Sequence, residues 1–117
     1  MNLKKYLKIL KKNPANISFQ DTIVTIDEHY DYQPIRFING KTLNERGENS
    51  GSCKIFSFGQ LHKLTELQVL QCFGDFYRKD VLKNPSGVSH QNIRSFIKFG
   101  WLGIEFRGKS LTLKQPS

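Results

Sequence analysis

At 117 residues the chain is the size of one ordinary domain, and its 38% hydrophobic content, with nine Phe, four Tyr and one Trp, excludes intrinsic disorder. Its formal charge of +8, from 18 basic and 10 acidic residues, permits an anionic partner without requiring one. The longest apolar runs, such as Ile55–Phe58 broken by Ser57, fall far short of the ~20 residues that a membrane-spanning helix needs, and Met1–Lys8 lacks the basic-then-apolar order of a secretory signal.

Leu3, Tyr6, Leu7 and Leu10 recur at helical spacing, with Lys4, Lys5, Lys8, Lys11 and Lys12 on the opposite side, so residues 2 to 12 are predicted to form a surface helix ended by Asn13-Pro14. These five lysines precede the first acid, Asp21, and could steer an anionic partner; a solvated helix face is the plainer reading. Ser18 with Asp21 gives a capping box for a second helix carrying Phe19, Ile23, Ile26 and Tyr30 inward, with Asp27, Glu28 and Asp31 near its end. Gln33-Pro34 stops it. Residues 35 to 38, Asn39-Gly40 and residues 41 to 44 then read as a hairpin with a type I′ turn, and residues 45 to 51 as a loop.

Ser52 is the expected cap of a third helix over about residues 53 to 63, whose Ile55, Phe56, Phe58 and Leu61 cover more than one face and predict burial. Thr65 and Gln68 box the start of a fourth helix running to about Leu82, with Leu67, Leu70, Phe73, Tyr77 and Val81 as its main stripe. Ser89 is expected to start a fifth, with Ile93, Phe96 and Ile97 inward, stopping at Gly100. Residues 101 to 106 and 110 to 113 complete the chain as strands of a second hairpin. The expected architecture is a single α+β domain over residues 1–117: about five helices and two β-hairpins, the hairpins sharing one small antiparallel sheet packed against the helices.

Phe19-Gln20-Asp21-Thr22, Asn49 with Gly51–Phe56, Cys72–Arg78, His90–Arg94 and Gly100-Trp101 with Gly103-Ile104 resemble the HopJ type III effector family, from about residue 3 to about residue 108. The resemblance implies a family named for a protein of plant-pathogenic bacteria assigned to type III secretion, with similar sequences in many free-living proteobacteria. It brings no enzymatic activity and no catalytic residue set to carry over. Residues 2 to 12 look helical and contain no serine, unlike the disordered, serine-rich signals of that secretion route, so the bacterial cytoplasm is the expected compartment and secretion into a host the alternative.

Candidate chemistry centres on Cys53. A thiol in the first turn of a helix, beside Lys54, sits where free amides and the helix dipole favour thiolate; His90, at another helix start, is the candidate base, and Asp75 could orient a histidine if buried. The opposing reading is a small buried residue beside Phe56. Asn49, Gly51, Ser52, Lys54, Gln91, Asn92, Arg94 and Trp101 form the candidate binding set, and residues 47 to 51 could hold an anion on backbone amides. Neither GxxxxGK[ST] nor GxGxxG occurs, so no cofactor is expected. Cys53, His62, Cys72 and His90 are too dispersed to predict a metal site, and the two cysteines read as free thiols. The functional expectation is a binding or interaction module for a protein or small molecule. The alternatives are a Cys53/His90 enzyme and a nucleic-acid binder using Phe96, Lys98, Phe99, Trp101, Phe106, Arg107 and Lys109.

Overall fold

The computed structural model describes residues 1–115. Helix α1 (Leu3–Lys12) is capped by the Asn2 side chain and leads through a 3₁₀ turn (Pro14–Asn16) into α2 (Phe19–His29), where Ser18 and Asp21 form the expected reciprocal capping box. The helix gives way to an extended strand at Tyr30, earlier than its apolar stripe suggests. Tyr30–Tyr32 is strand β1, alternating buried Tyr30, exposed Asp31 and half-buried Tyr32, and it pairs antiparallel with β5 (Leu111–Leu113). Cross-strand pairing overrides local helical preference there.

Strands β2 (Phe37–Asn39) and β3 (Thr42–Asn44) make the predicted hairpin, shifted by one residue. Asn39 faces Thr42, so Gly40-Lys41 is the loop; only the glycine takes positive φ, at +61°, which fits a type II′ turn rather than type I′. Strand β4 (Ile104–Phe106) adds to the other edge of β2, giving order β3-β2-β4, while β5 belongs with β1. The last two strands therefore part company into two small antiparallel sheets instead of closing a second hairpin within a shared one.

Helix α3 (Ser50–Leu61) starts two residues before the expected cap, after an irregular turn in which Gly47 and Asn49 are both left-handed. It runs through the middle of the molecule: Ile55, Phe56 and Phe58 are fully buried. The Phe56 ring meets Phe37, Phe73 and Phe96 at 6.1, 5.6 and 5.0 Å, and Phe58 meets Tyr6 and Tyr30 at 5.8 and 6.1 Å, so the two phenylalanines tie different elements to one helix. Burial stabilises by about 1.5–3 kcal/mol per side chain of this kind.

The predicted fourth helix is two pieces. Helix α4 (Glu66–Gln71) keeps its Thr65/Gln68 box, but Gly74 turns left-handed (φ +61°), and the chain resumes as a π-helical segment at Phe76–Val81. A side chain at Gly74 would sit 2.6 Å from the Phe19 backbone nitrogen, so glycine is what lets this turn press against the start of α2. Helix α5 (Gln91–Phe99) ends at Gly100 as expected, followed by a 3₁₀ turn (Gly100–Gly103).

Candidate functional site

Asn49 and Asn92 line the site's polar wall, and the fully buried Asn39 and Asn44 hold them through hydrogen bonds. Asn44, at the end of β3, and Asn92, in the first turn of α5, exchange amide hydrogen bonds: Asn92 Nδ2 donates to Asn44 Oδ1 at 2.9 Å and Asn44 Nδ2 to Asn92 Oδ1 at 3.1 Å. Asn39 Nδ2 donates to the Asn92 carbonyl at 2.8 Å, and Asn49 Nδ2 donates to Asn44 Oδ1 at 2.7 Å. Thr42 and Ser95 hydroxyls meet at 2.7 Å beside them. The β2–β3 hairpin thus pins the N-termini of both α3 and α5 side by side. Asn49 and His90, the residues before those helices, are both left-handed (φ 49° and 54°) and neither caps its helix with its side chain. The first backbone bonds of the two helices begin at Cys53 and Ile93, so the amides of residues 50 to 52 and 91 to 92 have no backbone acceptor among the described residues.

The opposite wall is aromatic. Phe73, Phe19, Phe76 and His90 form a ladder, with centroid separations of 6.4, 5.0 and 5.0 Å along it, the last pair nearly parallel at 28°. His90 ends the ladder and is held by Asp80, whose carboxylate lies 3.1 Å from Nε2. Between the two walls is an open cavity of about 260 Å³, lined by both helix starts, Thr42, Ile93 and the aromatic ladder. Its contents can combine stacking or apolar contact on one side with amide and imidazole hydrogen bonds on the other, the helix dipoles favouring negative charge.

Six residues singled out in the sequence line this cavity: Asn49, Gly51, Ser52, His90, Gln91 and Asn92. The others lie elsewhere. Cys53, one residue beyond Ser52, is 1% exposed and faces away, towards Ser110, Tyr32, Ser57 and the Ile35 backbone. Its amide already makes the first helical bond, to Asn49, so the expected supply of free donors is missing. Burial pushes its thiol pKa up, only partly offset by those neighbours, and Tyr32 beside it is pushed up to about 12, first by burial and then by the thiol. Cys53 and His90 are not brought together. Cys72 is equally buried, against Tyr6 Oη at 3.4 Å, and burial drives its pKa to about 12.

Lys54 pairs with Asp27 at 2.9 Å above the Tyr32 ring. Asp75 is exposed and sits 3.7 Å from Arg78 and 3.4 Å from Lys79; the carboxylate that orients a histidine is Asp80. Arg94 binds the carbonyls of Asn84, Pro85 and Ser89, fixing the loop that delivers His90. Trp101 donates from Nε1 to the Leu64 carbonyl, on the far side of α5. Phe96 is buried in the core and Phe106 packs on Phe37, so the aromatic and basic residues of positions 96 to 109 do not form one exposed platform. Sequence reasoning missed Asn39, Asn44 and Asp80. Asparagine is disfavoured in strands, and two of them facing inward from one hairpin were the available signal.

Among the described residues, no helix is long and apolar enough to cross a membrane, and no three or more His, Cys, Asp and Glu side chains gather as metal ligands would. None of the curated proteins compared matches the chain. A solved crystal structure, described as that of the unknown function protein VPA0580, superimposes with a TM-score of 0.96 at 47% sequence identity, covering 97% of this chain and 95% of the other. The profile described as HopJ type III effector protein matches residues 3–111, nearly the whole chain, so the chain belongs to the HopJ type III effector family.

Proposed function

We propose that this protein is a small-molecule binding module whose site is the cavity between the starts of α3 and α5. One observation carries the reading: two helix N-termini and an aromatic ladder share one cavity. The ligand that fits is small, with an anionic head for the free amides and His90 and a flat or apolar body for Phe19 and Phe76. The burial of Cys53 on another face favours binding over thiol catalysis. Two buried free thiols suit a reducing compartment, so the bacterial cytoplasm is the proposed place of action.

Titration of the isotope-labelled protein with benzoate, phenyl phosphate and neutral benzamide, followed by amide chemical shifts, tests this. Saturable shifts are expected at residues 50 to 52 and 91 to 92, with benzamide at least about tenfold weaker, the cost of one lost charge-assisted bond. Equal binding of the neutral compound, or shifts confined to other parts of the chain, would overturn the reading.

A further inference from the structure

Helix α1 carries a charge distribution that the cavity does not use. Lys4, Lys5, Lys8, Lys11 and Lys12 are all exposed and fall within one arc of the helix, spanning about 12 Å along its axis at 1.5 Å per residue. Among the described residues, none of the five has a carboxylate within ion-pair distance. The acids of the neighbouring helix α2 are engaged elsewhere: Asp21 caps its own helix, Asp27 pairs with Lys54 and Glu28 with the N-terminal amine. Lys11 also adds, after burial, to holding the pKa of half-buried His62 below its ordinary value.

We infer that this face of α1 is a docking surface for duplex nucleic acid, held through its phosphates without reading sequence. The opposite face of the helix is mostly spent: Tyr6 and Leu10 are buried and Leu3, Leu7 and Ile9 are partly buried against the core, leaving no fully exposed apolar stripe to enter a lipid surface. No aromatic ring stands exposed among the lysines, so the stacking that single strands require is absent from this helix. Lysines are hydrated point charges on flexible stems, suited to a dense row of phosphates more than to the fixed fork of a carboxylate. A duplex presents one charge per about 1.7 Å of axis, so roughly seven phosphate charges lie along the length of the lysine row.

The test is fluorescence anisotropy with labelled DNA and RNA duplexes of about 20 base pairs and unrelated sequences, between about 50 and 200 mM KCl. The expected slope of log affinity against log salt is about −4.5, about 0.9 for each of the five lysines, a loss of roughly 500-fold across that range. The variant K4Q/K8Q/K11Q is expected to flatten the slope by about 2.7 and K5Q/K12Q by about 1.8, with circular dichroism and the cavity titration unchanged. Absence of binding at the lowest salt, or a slope that both variants leave intact, overturns the inference. So does preferential binding to phosphatidylserine vesicles or to polyglutamate over duplex at matched charge, which would assign the face to a membrane or an acidic protein.

Discussion

Ser52 and Cys53 are neighbours in the chain and opposites in circumstance. Ser52 lines an open cavity beside amides that lack acceptors, whereas Cys53 is 1% exposed among hydroxyls and apolar walls that resist charge. About 100° of helical rotation separates them. On a helix largely buried in the core, a one-residue step decides whether a polar atom meets solvent or core, and the more reactive side chain was given to the core. Nearness in sequence to a helix N-terminus is therefore a poor guide to reactivity unless the direction of the side chain is also known.

The sharpest way to break this contrast is to remove the wall that defines its open side. Asn92→Ala removes both bonds that the Asn44 amide makes to the Asn92 side chain and the longer of the two from Asn39 Nδ2, which keeps the residue-92 main-chain carbonyl, in a region where Asn39, Asn44 and Asn92 are all buried. Leaving buried polar groups unpaired costs about 1–3 kcal/mol each, so a loss of about 2–3 kcal/mol in urea unfolding is expected. The same variant should weaken the benzoate-induced shifts at residues 50 to 52, because Asn44 would no longer hold Asn49 from a fixed position. Unchanged stability would mean that water replaces Asn92 and that the wall is softer than its geometry suggests.

A smaller effect separates the two neighbours directly. Cys53→Ala should destabilise by about 1–2 kcal/mol, as small core truncations do, while Ser52→Ala should stay within about 0.5 kcal/mol. Iodoacetamide should leave Cys53 unlabelled in the native protein near about pH 8 and modify it at the rate of unfolding, since a buried thiol of raised pKa offers neither access nor thiolate. Rapid native alkylation would show that this side of α3 opens and would return the thiol to consideration as a nucleophile.

Where local rules and tertiary structure agree, the sequence was informative: the Ser18/Asp21 and Thr65/Gln68 boxes, the stop at Gly100 and the buried character of α3 all follow from side chains within a few residues of one another. The failures have a common cause in distance. Gly74 breaks a well-patterned helix because the Phe19 backbone, 55 positions earlier, needs the space. Tyr30 leaves its helical stripe because Leu113 offers a strand partner. The candidate cavity was half legible, since both helix starts were marked by polar residues and glycine. What joins them, the Asn39/Asn44/Asn92 cluster and the Asp80–His90 contact, spans separations that no periodicity records.

The smallest predicted effect lies at the far end of α3 and asks whether its core side rejects charge there too. His62 follows the helix, packs on Phe58 at 4.6 Å, and its Nε2 shares a hydrogen bond with the Tyr30 hydroxyl at 2.6 Å. Burial first, and Lys11 second, hold its pKa below the ordinary 6.5. Between the folded value and 6.5 the unfolded chain binds more protons than the native one, so the stability that His62 contributes is complete above about pH 6.5 and declines as pH falls through that window. His62→Gln should abolish this part of the pH dependence, read as the difference between the two proteins' urea midpoints from about pH 7.5 downward, with His29 and His90 common to both and cancelling. A difference that is flat with pH would place His62 in an environment as tolerant of charge as the cavity at the other end of the helix.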